Sequence, residues 1–313
     1  GADRGGAGAA AFEPPALGSV GAVGETHVPA RLDPRRAAVA RRQQQPQRAQ
    51  RTFGRAGRSG QMQPRLLLEE FYRTGVRLAG KPALWWLVPP AQEDHYPAYT
   101  AWLLDNRFVA AAEWLDFGGL DAISPEEFHG GARWLLHKSI DEPYKALLKL
   151  MLFESYVGDY PEIRWLSQEV KAMLHRAREP DYERLDPYRL MIERIDDYLG
   201  ARHQPRRELA RRAFYAKSGQ ALSQPMPRPD WRRRQLEDLI ADWGWGQAQL
   251  RIMDGRGRWG VEQVMRERNA IVAELSAGYR LLSDFARRHT GTRRLNLREL
   301  KLLGRRLYAS LER

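Results

Sequence analysis

The sequence predicts a mainly α-helical protein, and three stretches carry this prediction. Apolar residues follow the 3.6-residue period of a helix over 66–78, in a run that ends at Gly80. Residues 146–153 are apolar on nearly every side, which predicts a central helix covered by several neighbours. Apolar residues three or four positions apart over 272–286 predict a long helix packed on another helix. No alternating strand pattern exceeds a few residues.

Two further helices are indicated by their ends and their periodicity. Ser124, Pro125 and Glu127 have the order of an N-cap, a first-turn proline and a capping-box glutamate. The apolar residues of the helix that begins there are Phe128, Trp134 and Leu135. An amphipathic stripe over 188–199 predicts another helix, and the Trp-Gly-Trp-Gly sequence at 243–246 predicts a turn between helices.

The first 62 residues differ in composition from the remainder. Alanine, glycine, arginine and proline make up 38 of the first 60 residues, with ten arginines against four acidic residues. Such a segment buries too little apolar surface to offset its backbone entropy. We therefore predict a disordered low-complexity leader over 1–62 and a multi-helix region over 63–313. A basic arm that binds nucleic acid and an out-of-frame reading of a GC-rich gene are alternative interpretations of the leader.

Whole-chain composition narrows the class of protein. The 313 residues carry a formal charge of +12, are 43% hydrophobic and contain no cysteine. A globally disordered chain, a disulfide scaffold and a thiolate metal site are thereby excluded. No run approaches the 18 apolar residues of a membrane-spanning helix, and the N-terminus lacks the basic and apolar regions of a signal peptide. We therefore expect a soluble protein of the cytoplasm.

Basic residues are the strongest candidates for chemistry, since the sequence has no phosphate-binding glycine loop, nucleophile elbow or paired-histidine motif. Arg73, Arg77 and Lys81 are four residues apart, so on one helix they share a face and can grip a polyphosphate. Lys145 and Lys149 have the same spacing on the polar edge of the central helix. A solvated basic edge is the alternative interpretation of both sets.

Several segments resemble the bacterial class I adenylate cyclases. They include LLLEEFYRTGVRLAGK at 66–81, EWLDFGGL at 113–120 and EFHGGARWLLHK at 127–138, the last of which is similar to the family's first signature. The order and spacing of such segments hold over about 64–313. Departures from the signature are His129, Arg133 and His137, where the family has Phe, Leu and Tyr.

This resemblance implies an enzyme that converts ATP to cyclic AMP and pyrophosphate with Mg²⁺. It also favours Arg73, Lys81, Lys138 and Lys145 as residues that bind the triphosphate. In the family, a Gly-Ser turn and an Asp-x-Asp pair that holds the metals precede the segment matched by Leu66, but no such carboxylate pair occurs here. We therefore expect a fragment that is inactive alone and whose partners are ATP and the missing nucleotidyltransferase and regulatory segments.

Two other functions stay open at this stage. One is a non-catalytic helical interaction module, which would bind ATP without turning it over. The other is a basic helical protein that binds nucleic acid, as the +12 charge suggests. Against the latter, residues 61–313 hold 41 basic and 35 acidic groups, and the tryptophans follow apolar stripes instead of standing between basic residues as stacking platforms.

Overall fold

The computed structural model describes residues 65–290 except 76, 121–122 and 178–179, so the predicted leader lies outside the described residues. The described part is mainly α, as predicted. Its ten α-helices, numbered α1 to α10 in chain order, are Arg65–Thr74, Tyr96–Asp105, Pro125–Lys138, Pro143–Gly158, Leu166–Arg176, Pro187–Leu199, Gln204–Ser218, Trp231–Trp243, Gln247–Asp254 and Val261–Thr290. Two short strands, β1 (Arg77–Leu78) and β2 (Lys81–Pro82), pair antiparallel.

Several helix ends follow from local sequence. The Asp186 carboxylate accepts the backbone N–H groups of Tyr188 and Arg189, both at 2.9 Å, and so caps the start of α6. Helix α8 ends at Trp243 and is followed by Gly244, whose φ of 70° is a left-handed conformation that favours glycine. The predicted turn at 243–246 therefore lies between α8 and α9, as expected.

Helix α4 is the centre of the main core, which confirms the prediction for residues 146–153. It packs against α3, α6, α7 and α10. Its buried apolar residues are Ala146, Leu147, Leu148, Leu150, Met151, Leu152 and Tyr156. A helix that is apolar on so many sides is stable only when neighbours cover each side, and four helices do so here.

The long helix α10 packs on α3 and α4. Leu275, Tyr279, Leu282 and Ala286 are all buried, so the predicted stripe over 272–286 is confirmed. Among its polar contacts is that of Glu274, which accepts a hydrogen bond from Arg206 Nε at 2.7 Å.

The N-terminal part of the described chain has its own aromatic cluster. Tyr72 of α1 stacks on Trp85, with ring centroids 4.3 Å apart and planes inclined by 6°. Lys171 of α5 is completely buried there, where its Nζ donates to Glu93 Oε2 at 2.6 Å and lies 4.0 Å from the Trp85 ring centroid. This pair ties the segment before α2 to α5.

Two predictions about where helices end and how they are capped are wrong. The helix predicted to end at Gly80 ends at Thr74, and a turn with positive φ at Ala79 and Gly80 then joins β1 to β2. Gly80 is thus a turn residue, because its φ of 84° is unfavourable for residues with a side chain.

The second wrong prediction is the capping box at Glu127. Helix α3 begins at Pro125 as predicted, but the Ser124 side chain makes no capping hydrogen bond, and the Glu127 carboxylate accepts the backbone N–H of Leu66 at 3.2 Å instead of capping its own helix. Glu127 of α3 therefore accepts a backbone N–H at the start of α1 that has no partner within its own helix. It can do so because α1 and α3 pack together.

Within the described residues, no helix is both long enough and apolar enough to cross a membrane.

Candidate functional site

Helices α3 and α4 form an antiparallel hairpin joined by residues 139–142. The buried Ser139 donates from Oγ to the carbonyl of Leu136 at 2.7 Å where α3 ends, and a proline occupies the first turn of α4. One point of contact along the hairpin is Gly131, whose missing Cβ would lie 2.8 Å from Phe153. The hairpin thereby sets which side chains of α3 face which side chains of α4.

Lys138 and Lys145 lie at the loop end of this hairpin. Lys138 is the last residue of α3 and lies 3.9 Å from Asp141, whereas Lys145 is in the first turn of α4. Both contribute to lowering the pKa of Glu142, although the hydrogen bond from Lys217 at 2.6 Å is the largest cause. These two predicted residues therefore lie on either side of the loop that joins α3 to α4.

Lys149 lies one turn further along α4 and forms an ion pair with Glu70 of α1. Partial burial would raise the pKa of Glu70, but the Lys149 ammonium outweighs it and lowers this pKa below its ordinary value. Arg73 and Lys145 add smaller effects in the same direction. Glu70 is thus a second carboxylate shared by basic groups along the same surface.

Arg73 is buried, with 7% of its surface exposed. Its Nε donates to Glu69 Oε1 at 3.2 Å, and the same oxygen accepts from the Tyr156 hydroxyl at 3.1 Å and the Ser167 backbone N–H at 3.2 Å. Burial by itself would lower the pKa of the Arg73 guanidinium. The attraction of Glu69, with that of Tyr156 and Glu70, more than offsets this effect, so the pKa lies above its ordinary value. The positive charge of Arg73 is therefore balanced inside the fold.

Lys81 is exposed on β2 and does not share a helix face with Arg73. The predicted common face of Arg73, Arg77 and Lys81 is wrong, because the chain leaves the helix after Thr74 and Arg77 and Lys81 lie on the two strands of the hairpin. Of the four predicted residues, Lys138 and Lys145 lie at the loop end of the α3–α4 hairpin, Arg73 is buried in its pair with Glu69, and Lys81 is exposed on β2.

Trp134 is a residue of this surface that the sequence analysis placed wrongly in an apolar stripe. It is 53% exposed, and Lys149 Nζ lies 5.9 Å from its ring centroid. The buried face of α3 consists of Phe128, Ala132, Leu135 and Leu136. Because Trp134 is out of step with that period, the spacing of the buried set could have identified it as a surface residue. We call Trp134, Lys138, Lys145 and Lys149 the hairpin strip.

The described residues do not offer a Mg²⁺ site. Among them, no three His, Asp or Glu side chains lie together as metal ligands. The carboxylates beside the hairpin strip are already paired, Glu70 with Lys149 and Glu142 with Lys217. Mg²⁺ prefers oxygen ligands that are free to coordinate it, so this donor set does not fit the ion.

Comparison with known families gives two matches. The sequence model described as "Adenylate cyclase, class-I, second domain" matches residues 123–313. The one described as "Adenylate cyclase NT domain" matches residues 39–86, so it begins inside the predicted leader. The hairpin strip lies entirely within the first match.

Curated relatives carry the same name. The chain is 42% identical over 254 residues to the adenylate cyclase of Salmonella typhimurium strain LT2, which is 81% of this chain and 30% of that protein. Identity and coverage are the same for the adenylate cyclase of Escherichia coli K12, and that of Proteus mirabilis is 41% identical over 257 residues. The chain thus spans about 30% of the length of these relatives. No solved structure matches it.

Proposed function

The chain belongs to the class-I adenylate cyclase family, and from this premise we propose that it is the helical part of an enzyme that converts ATP to cyclic AMP and pyrophosphate. The support is the match over 123–313, more than half of the chain, together with relatives that are named adenylate cyclases. A cytoplasmic location is part of this proposal, and the lack of cysteine in all 313 residues is compatible with it.

The proposed role of Lys138 and Lys145 is to bind the triphosphate. Cyclisation joins the ribose 3′ oxygen to the α-phosphorus and releases pyrophosphate, so negative charge grows on the leaving group as its bond breaks. Ammonium groups held beside the leaving pyrophosphate stabilise its growing negative charge. The observation that carries the proposal is the position of both lysines at the loop end of the α3–α4 hairpin, with Lys138 at the end of α3 and Lys145 in the first turn of α4.

Arg73 takes an indirect part in this proposal. Its guanidinium is already paired with Glu69, so we assign it to holding α1 and Glu70 beside Lys149. Lys81 is exposed on β2, and its contact with phosphate stays a separate prediction.

Mg²⁺ belongs to the proposal as an ion held by other residues of the longer enzyme. When bound, it would supply charge neutralisation at the phosphates and activation of the attacking hydroxyl. Since the carboxylates beside the hairpin strip are already paired, we expect the chain by itself to bind ATP without forming measurable cyclic AMP.

A segment exchange tests the proposed function. In the full-length E. coli K12 adenylate cyclase, the matching 254 residues are replaced by those of this chain, and cyclic AMP formation is measured. We expect an active chimera in which Lys138→Met and Lys145→Met each lower kcat/KM for ATP by about 10-fold or more, which corresponds to losing one charge-assisted contact.

The matched control is Arg184→Met, which removes an exposed positive charge that pairs with Asp181 outside the hairpin strip. This variant should keep the kcat/KM of the parent chimera. A chimera that folds but forms no cyclic AMP would contradict the assignment of the segment. Unchanged kinetics in both lysine variants would contradict the role of the lysines alone.

A further inference from the structure

The most conspicuous surface feature of the hairpin strip is the exposed ring of Trp134. The other tryptophans that the structure describes are buried or half-buried, with Trp85 and Trp165 only 0% and 5% exposed. A large aromatic ring that is half exposed to water gains only part of the free energy of burial, yet offers a flat face on which a planar ligand can stack. The neighbours of this ring decide which ligand that would be.

Open space lies beside the ring on α3. Gly130 precedes Trp134 by four residues, so the two positions lie on the same face of α3. A Cβ at position 130 would meet no atom within 4 Å. Glycine inside a helix is less stable than alanine, and no close contact requires it here. The glycine therefore leaves room beside the ring without serving the packing of the core.

Lysine side chains of α3 and α4 supply positive charge near the Trp134 ring. Lys149 lies 5.9 Å from the ring centroid, fixed by its ion pair with Glu70. Lys138 and Lys145 are each four residues nearer the loop end of the hairpin, which is about 6 Å along the helix axes. A ligand with a flat ring at Trp134 and phosphates one turn away would meet both features at once.

The carboxylates beside the lysines of the hairpin strip favour the binding of a short anion over that of a long one. Glu70, Asp141 and Glu142 border the lysines and would repel a phosphate chain that continued past them. A single-stranded nucleic acid needs an uninterrupted basic groove, whereas one nucleotide needs only the length of the strip. The charge pattern therefore selects a mononucleotide.

We propose that Trp134 is the stacking platform for the adenine ring of ATP, with the open space over Gly130 admitting the base and Lys138 and Lys145 receiving the phosphates. This inference rests on the proposed function, since it adds the base-binding part of the same nucleotide site.

Binding to the purified chain tests the platform, with ATP and inorganic tripolyphosphate as the two probes in isothermal titration calorimetry. ATP should bind more tightly than tripolyphosphate, because only ATP carries a base. Trp134→Ala should weaken ATP binding by about five- to a hundredfold, the range for one base stacked on an aromatic side chain, and leave tripolyphosphate binding unchanged. Phe108→Ala, which removes another exposed aromatic residue, should change neither affinity.

A second pair of variants keeps Trp134 and every lysine. Gly130→Gln places a long helix-forming side chain in the open space, so it should weaken ATP binding at least fivefold without affecting tripolyphosphate. Ala101→Gln, which adds the same side chain at an exposed position of α2 outside the hairpin strip, should bind both probes as the wild type does. Thermal unfolding of each variant verifies that it is folded.

Three results would overturn the platform. The first is equal affinity of the wild-type chain for ATP and tripolyphosphate, including no binding of either. The second is that Trp134→Ala weakens the binding of ATP and of tripolyphosphate by the same factor, which would indicate a structural role for the ring. The third is tighter binding of a short single-stranded oligonucleotide than of ATP, which would make the strip a nucleic-acid surface. The chimera assay judges the proposed cyclase function independently of these results.

Discussion

Gly278 of α10 lies directly against Glu154 of α4. A Cβ at position 278 would come within 2.5 Å of Glu154 Oε1 and 2.7 Å of Leu150 Cδ2, distances that Cβ atoms do not adopt. The Glu154 side chain has little freedom to move away, since it is buried and its Oε2 accepts from Arg206 at 2.7 Å. The long helix therefore approaches the central helix this closely because residue 278 has no side chain.

Gly278→Ala is expected to destabilise the chain by ~1–3 kcal/mol, the usual cost of overpacking a core, although alanine is the better helix former. The matched control is Gly130→Ala, the same change on α3 where a Cβ meets nothing within 4 Å. That control should raise the free energy of unfolding by up to ~1 kcal/mol. Urea unfolding measures the free energy of unfolding of both variants. A Gly278→Ala variant as stable as the wild type would disprove the close packing.

Leu148→Ala and Leu150→Ala should each lower the free energy of unfolding by ~2–5 kcal/mol. Both side chains are buried in α4 against several helices, so their removal loses apolar burial and leaves a cavity. Leu67→Ala is the control, because Leu67 is 46% exposed and should change stability by under ~1 kcal/mol. A loss below ~1 kcal/mol at both core positions would contradict the central placement of α4.

Stability should rise with pH above about 8 because of Lys171. Burial lowers its pKa from 10.5 to about 8, and the attraction of Glu93 only partly opposes this. Between those two values the unfolded chain holds a proton that the folded chain has released, so a rise in pH favours the folded state. The expected gain between pH 8 and pH 10 is of the order of 1–2 kcal/mol.

The double variant Lys171→Met with Glu93→Gln removes this titration and should show no such gain. Measurements are best kept below pH 10, since burial also raises the pKa values of Tyr72 and Tyr156, which makes the folded state lose stability at higher pH. If the wild type and the double variant had the same pH profile, the lowered pKa of Lys171 would be wrong.

Glu127→Ala should loosen the start of α1. The Glu127 carboxylate accepts the backbone N–H of Leu66, and loss of such a cap costs ~0.5–2 kcal/mol. Glu127→Gln keeps an acceptor oxygen and should cost less, while Glu126→Ala, at an exposed neighbour, is the control. Amide exchange at the first turn of α1 is the measurement, and equal protection in all three variants would rule out the cap.

The sequence correctly predicted the positions of two lysines of the candidate site on their helix. The four-residue spacing of Lys145 and Lys149 placed both lysines on one edge of α4, and each acts on the pKa of Glu70. Their role in binding phosphate stays a prediction. Trp134 was missed as a surface residue because hydrophobicity alone suggested burial, whereas the period of the buried face excludes it.

Periodicity and composition by themselves determined the helical class, the central position of α4 and the stripe of α10. These features depend on neighbours within one or two turns, so the spacing of apolar residues is sufficient to predict them. The partners of Glu127 and Lys171 were decided only by the tertiary structure, as was the end of α1 at Thr74. Each of those depends on a residue distant in sequence or on the packing of another segment, which local spacing does not record.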